Sequence, residues 1–180
     1  MPNFSDFQQL HQIFGMLRWG ILKWPRVGDF GWPSGRNKNT PVVAIFDGDQ
    51  TTKHQQNLQH AKNMTENPGN DFEQWFNYRC LFLPGDNWPE CWIVQKAKVC
   101  AASLAAKFQI EVPEFNSILD QGLSAGRHSE FYRISALLGM QEDRCLDIFT
   151  QVVVEENRSD FSEIHRRLDW LLSNEDFSMI

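Results

Sequence analysis

Phe7, Leu10, Phe14, Leu17 and Ile21 recur at intervals of three and four, the spacing that lines one face of an α-helix. Residues 5–22 therefore predict an amphipathic helix with Ser5 as its N-cap. Prolines and glycines then punctuate residues 25–41, which predict a long loop. Pro41-Val-Val-Ala-Ile-Phe46 is an unbroken apolar run rich in β-branched residues, the pattern of a strand buried on both faces. Residues 52–64 are polar and free of glycine and proline, which suits an exposed helix with a thin apolar stripe. A helical turn over 72–76 precedes Arg79-Cys-Leu-Phe-Leu83, a second short strand stopped by Pro84-Gly85.

Pro89 at a first turn, with Asn87 before it, opens a helix over 89–108. Beyond Val112 the periodicity is helical throughout: 113–121, 129–138, 142–156 and 161–173. The expected breaks fall at Gly122, Gly126, Gly139 and Asn157-Arg-Ser-Asp160, with Ser159 available as a cap. The order strand, helix, strand, helix favours a parallel sheet. The expected fold is α/β: a small parallel sheet followed by a C-terminal helical bundle. Two strands are few for a sheet, so either the 25–41 loop hides strands or another chain supplies them.

The acids at the end of the first strand carry the chemistry. In parallel sheets, ligands bind at the carboxyl ends of strands, and Asp47-Gly48-Asp49 stands at such an end. Two carboxylates there can share a hard divalent cation, Mg2+ or Mn2+, and Gly48 permits close backbone approach. The same three residues also suit an ordinary turn. Glu90, at the start of the helix after the second strand, can complete a metal shell or simply complement the helix dipole. Asp86 has the same choice between ligand and turn residue. Lys96 and Lys98, or Arg36 and Lys38, are candidate phosphate contacts, although lysines on a solvated helix need no such role. His54, His60 and His128 read as surface or cap residues, and no spacing supports a Ser-His-Asp or Cys-His arrangement.

At this point the chain resembles the Toprim domain of OLD-family nucleases. The likeness lies in VVAIFDGDQ, then RCLFLPG, then NWPECWIVQKA, with HSEFYRISALLGMQEDRCLDIF similar to that family's closing helices. It covers about residues 41–157. The resemblance implies a metal-dependent phosphoryl-transfer site for DNA cleavage in which Asp47 and Asp49 hold magnesium. It also implies a partner ATPase, a hetero-oligomeric complex and a role in defence against phage. It divides the chain into an N-terminal helix (1–24), a partial Toprim-like α/β domain (25–111) and a C-terminal helical region (112–180).

One element of the family pattern is missing. Toprim domains carry a glutamate on a strand upstream of the DxD, and the first glutamate here is Glu66. Three readings follow: a partner supplies the glutamate, the site is degenerate, or another acid substitutes. The degenerate case would make the chain a non-catalytic interaction subunit. FDGDQT also matches the DxDxT of haloacid dehalogenase-like phosphatases, with Asp47 as nucleophile and Asp49 as general acid, but no later strand precedes a second acid pair.

Charge and cysteine usage narrow the setting. Seventeen basic against 23 acidic side chains leave a net charge of -6 over 180 residues, which excludes DNA binding through a uniformly cationic surface. Four cysteines without a CxxC pair read as reduced thiols, and with no signal peptide or membrane span in the pattern the expected location is the cytoplasm.

Overall fold

The computed structural model describes residues 44–64, 70 and 72–173. The predicted N-terminal helix and the 25–41 loop, including Arg36 and Lys38, lie outside the described residues. Strand β1 (Ala44–Phe46) leads through a 3-10 segment (Gly48–Lys53) into helix α1 (His54–Met64). Helix α2 (Phe72–Arg79) and strand β2 (Cys80–Phe82) follow. After β2 come α3 (Pro89–Val99), α4 (Ala101–Phe108), α5 (Val112–Ser124) and α6 (Glu130–Leu138). Helix α7 (Glu142–Glu156), a 3-10 turn (Arg158–Phe161) and α8 (Ser162–Ser173) complete the described chain. The described residues are mostly helical, with one two-stranded parallel sheet among them.

Two compact units divide these elements. In the one that includes Lys53–Cys80, α1 packs on α2. The thin stripe expected of α1 is Leu58 and Ala61, both buried, while Phe72 and Phe76 of α2 stack at 6.2 Å. His54 Nε2 meets Asn77 Oδ1 at 2.7 Å, and its ring lies 5.7 Å from Phe76. That histidine is therefore a packing residue of this unit.

The other unit comprises Ile45–Thr52 and Leu81–Trp170. Its centre is α3, which packs against α5, α6 and α7. Four consecutive α3 residues, Cys91, Trp92, Ile93 and Val94, are buried together with Ala97, so the helix is enclosed on more than one face. Phe149 of α7 forms the aromatic hub: Phe131 meets it edge-on at 5.3 Å, and Phe108 and Phe115 lie at 5.8 Å. Trp92 meets Phe161 edge-on at 5.5 Å, tying the 3-10 turn to α3.

Element boundaries differ from the pattern at three instructive points. The predicted single helix over 89–108 breaks at Cys100, which leaves the helical region (φ -101°, ψ 27°) and lets α4 set off separately. Gly122 does not end a helix. It lies inside α5, where a Cβ would come within 2.5 Å of the Ile134 side chain, so its smallness serves the close approach of α5 to α6. Gly139 does end one, in the left-handed region at φ 66°. Ser159 sits within the 3-10 turn and caps nothing by its side chain.

All four cysteines are free and buried. Burial pushes the Cys100 thiol up to about 11 and that of Cys145 to about 12, and it raises Cys91 as well. Since the thiolate is the reactive form, native protein at pH 8 is expected to resist a thiol reagent such as iodoacetamide while denatured protein loses all four thiols, as a mass spectrum of each would show. Truncating the aromatic hub tests the packing: Phe149→Ala is expected to lower unfolding stability by about 3–5 kcal/mol in a urea titration.

Candidate functional site

The site begins where β1 stops. Leu83 N–H donates to Phe46 O at 2.8 Å, the last rung between the strands, and Gln50 N–H then donates to Asp47 O at 3.0 Å as the chain curls into the 3-10 segment. Gly48 is buried at the start of that segment. A Cβ there would sit 2.1 Å from the Gly85 carbonyl oxygen and 3.0 Å from that of Leu83. Both neighbours are backbone, which cannot swing aside, so the position requires glycine. Gly85 itself adopts φ +86°, and a side chain on it would strike Trp92. The turns after β1 and β2 are thus held backbone to backbone, and Asp47 of the first comes within electrostatic range of Glu90 in the helix that follows the second.

That placement collects like charges. Burial raises the Asp47 pKa first, then the negative charges of Asp49 and Glu90; His128 and Arg127 pull the other way. Glu90 occupies the first turn of α3, where the helix dipole favours an acid, and its charge reaches Asp47. Glu90 Oε2 is buried without a hydrogen bond and lies 3.4 Å from His128 Nδ1. Among the described residues, no group of three His, Cys, Asp or Glu side chains stands in metal-holding geometry. Asp47 has Asp49 and Glu90 within electrostatic range.

The sequence pattern did not single out the loop between α5 and α6, which supplies the cationic side of the site. Arg127 Nη2 contacts Asp49 Oδ2 at 3.0 Å, while Gln50 Nε2 donates to Asp49 Oδ1 at 2.9 Å. Arg127 Nε donates to His128 Nε2 at 3.1 Å, and the other ring nitrogen, Nδ1, is the one nearest Glu90. The guanidinium carbon lies 5.1 Å from the centre of the Trp88 ring. Trp88 Nε1 in turn donates to Glu130 Oε1 at 2.7 Å. Gly126 adopts φ 95° and His128 φ 62°, so the loop turns sharply between the helices to present both side chains. The sequence signal was faint: a basic pair directly after a helix-ending glycine.

Magnitudes show which of these ties are exchangeable. The Arg127 side chain is 51% exposed, so its pair with Asp49 contributes about 0.2–1 kcal/mol and the cation–π contact about 0.5–1 kcal/mol. The Glu130 tie is of another kind. Glu130 is 1% exposed at the first position of α6, and a hydrogen bond to a buried carboxylate contributes about 1.5–3 kcal/mol.

The remaining candidates lie elsewhere or are engaged. Lys96 pairs with Asp160 at 2.6 Å and leans on Trp92, and Lys98 pairs with Asp120. Asp86 is exposed in the turn after Gly85, and His60 is exposed on α1.

The raised pKa of Asp47 has a consequence for stability. A carboxyl group that titrates higher in the folded than in the unfolded state makes the fold less stable as pH rises through that interval, and the penalty is complete above it. In a chelating buffer, Asp47→Asn is therefore expected to raise the melting temperature at pH 7, with the gain vanishing near pH 3, below both values. A lower melting temperature at pH 7 would show that Asp47 stabilises the turn in its charged form. Compared with protein-family models, curated proteins and solved structures, the chain matches none of them.

Proposed function

We propose that the strand-end acids form a divalent-cation-dependent phosphodiester site, and that the chain is a Toprim-like component of a DNA nuclease complex acting with a partner ATPase in defence against phage. The single observation that supports this reading most is the crowding of Asp47 by Asp49 and Glu90 at the end of β1. Burial and the like charges at Asp47 outweigh the opposing charges of His128 and Arg127, and a bound Mg2+ or Mn2+ is the natural further counter-charge for an all-oxygen site. When bound, such a cation would polarise a phosphate oxygen. Asp47 and Asp49 would hold it, and Glu90 would tune the local charge.

The incomplete ligand set is consistent with a partner's carboxylate taking the place of the glutamate absent upstream of Asp47. A second reading, a Toprim-shaped subunit that tethers or regulates without cutting, draws on the Arg127–Asp49 pair, which already neutralises one of the two acids. The phosphatase reading is weaker, because all described elements after β2 are helical and offer no strand for a second acid pair.

Two measurements test the proposal. Mn2+ titrated into the chain is expected to bind with an affinity that falls about tenfold or more, that is 1.4 kcal/mol or more, in Asp47→Asn and in Asp49→Asn. Cleavage of plasmid DNA by the assembled complex is expected to disappear in both variants. If cleavage persists undiminished in both, the nuclease reading fails. Hydrolysis of a small phosphomonoester by the isolated chain would favour the phosphatase instead.

A further inference from the structure

We propose that Arg127 is the phosphate-binding group of this site, and that Trp88 and Glu130 are positioning residues that hold its guanidinium beside the carboxylates. The inference rests on the reading of the Asp47 cluster as a phosphate-ester site and adds the group that would recognise the ester. A guanidinium is a flat fork of donors suited to two oxygens of one phosphate. In Arg127 the Nε edge is used by His128 and Nη2 by Asp49, while Nη1 makes no hydrogen bond among the described residues. Half of the side chain faces solvent. The carboxylate of Asp49 thus occupies the place a phosphate oxygen would take, through a contact weak enough to be exchanged.

The support beneath Arg127 is more elaborate than a surface ion pair requires. Trp88 offers the ring face on which the guanidinium rests, and its own orientation is set by the hydrogen bond to Glu130. Glu130 is buried with Oε2 lacking a hydrogen-bond partner. A carboxylate in that state is unfavourable, and an apolar residue of similar volume would suit the core better. Aiming the indole is what the carboxylate does that an apolar residue cannot. His128 adds a third constraint, with a non-glycine residue in the left-handed region next to Arg127 and its ring accepting from the guanidinium. Of the basic candidates among the described residues, Lys96 and Lys98 are not disposed this way, since they are paired with Asp160 and Asp120.

The test uses the full chain and two probes of the same chemistry, inorganic phosphate and an octathymidylate, followed by the Nε–Hε resonance of Arg127 and by calorimetry. That resonance is expected to shift with at least one probe; which probe moves it tells a free phosphate or monoester from a nucleic-acid backbone. Affinity is expected to fall at least tenfold in Arg127→Gln. Trp88→Phe and Glu130→Leu are expected to weaken binding about threefold or more while far-ultraviolet circular dichroism stays native. Glu130→Gln, which keeps an acceptor for the indole N–H, is expected to retain it. Asp49→Asn, which removes the competing carboxylate, is expected to tighten it. An unmoved Arg127 resonance with both probes, or equal affinity in Arg127→Gln, overturns the inference. Should Glu130→Leu fail to fold, Trp88→Phe decides the positioning role: unchanged affinity there overturns it. Mn2+ line broadening around Asp47, measured in parallel, separates the two readings. Phosphate binding through Arg127 without Mn2+ binding upholds this inference and overturns the cation reading.

Discussion

The site depends on one close approach of backbone to backbone. Gly48, at the turn after β1, lies so near the carbonyl of Gly85, at the turn after β2, that no side chain fits between them. This contact fixes more than a turn. Because Pro89 starts α3 four residues after Gly85, holding Gly85 against Gly48 also sets where Trp88 and Glu90 stand relative to Asp47 and Asp49. A larger residue at either position would separate the acids from the helix end that confronts them. Short strands suffice for this purpose: the two-stranded sheet delivers two chain ends in register, and the helices around α3 supply the stability that so small a sheet lacks.

The charges gathered by that contact are balanced from a distant part of the chain. Arg127 and His128 approach from the α5–α6 loop and lower the cost of ionising Asp47, although burial and the two neighbouring acids still prevail. The loop is held at three points of unequal strength. Its ion pair to Asp49 and its stacking on Trp88 are solvent-screened and weak, whereas Glu130, one residue beyond the loop, is buried and bonded to the indole. Such an arrangement keeps the platform rigid and the guanidinium free to change partners.

The sequence made legible what depends on local pattern. The strand ending in Asp-Gly-Asp, the start of α3 at Pro89 and the extent of α7 follow from apolar runs, proline chemistry and helical spacing. Gly122 and Cys100 were misjudged because their roles are set by packing: glycine reads as a break in isolation, yet Ile134 needs the space its missing side chain leaves, and the break at Cys100 has no glycine or proline to announce it. The cationic half of the site was hidden for a related reason. Arg127 and Asp49 are 78 residues apart, and Trp88 and Glu130 are 42 apart, so no spacing rule connects them. His128 read as a surface residue and is one, since its side chain is 54% exposed; what the pattern missed is which surface.

The overall charge sharpens the meaning of that cationic group. With a net charge of -6, the chain as a whole repels a polyanion, and at physiological salt that repulsion extends over roughly 8 Å. Lys96 and Lys98 do little to offset it at close range, because each is neutralised by an aspartate. A single exposed guanidinium can therefore orient a phosphate that has already arrived, but it cannot draw a nucleic acid from solution. On the function proposed above, recognition and capture are separate tasks: Arg127 would choose the oxygen, and long-range attraction would come from a cation on the acids or from a basic surface on another subunit. The proposed site therefore needs only one well-supported arginine beside its aspartates on an acidic chain, because choosing an oxygen and attracting a polyanion are separate electrostatic tasks.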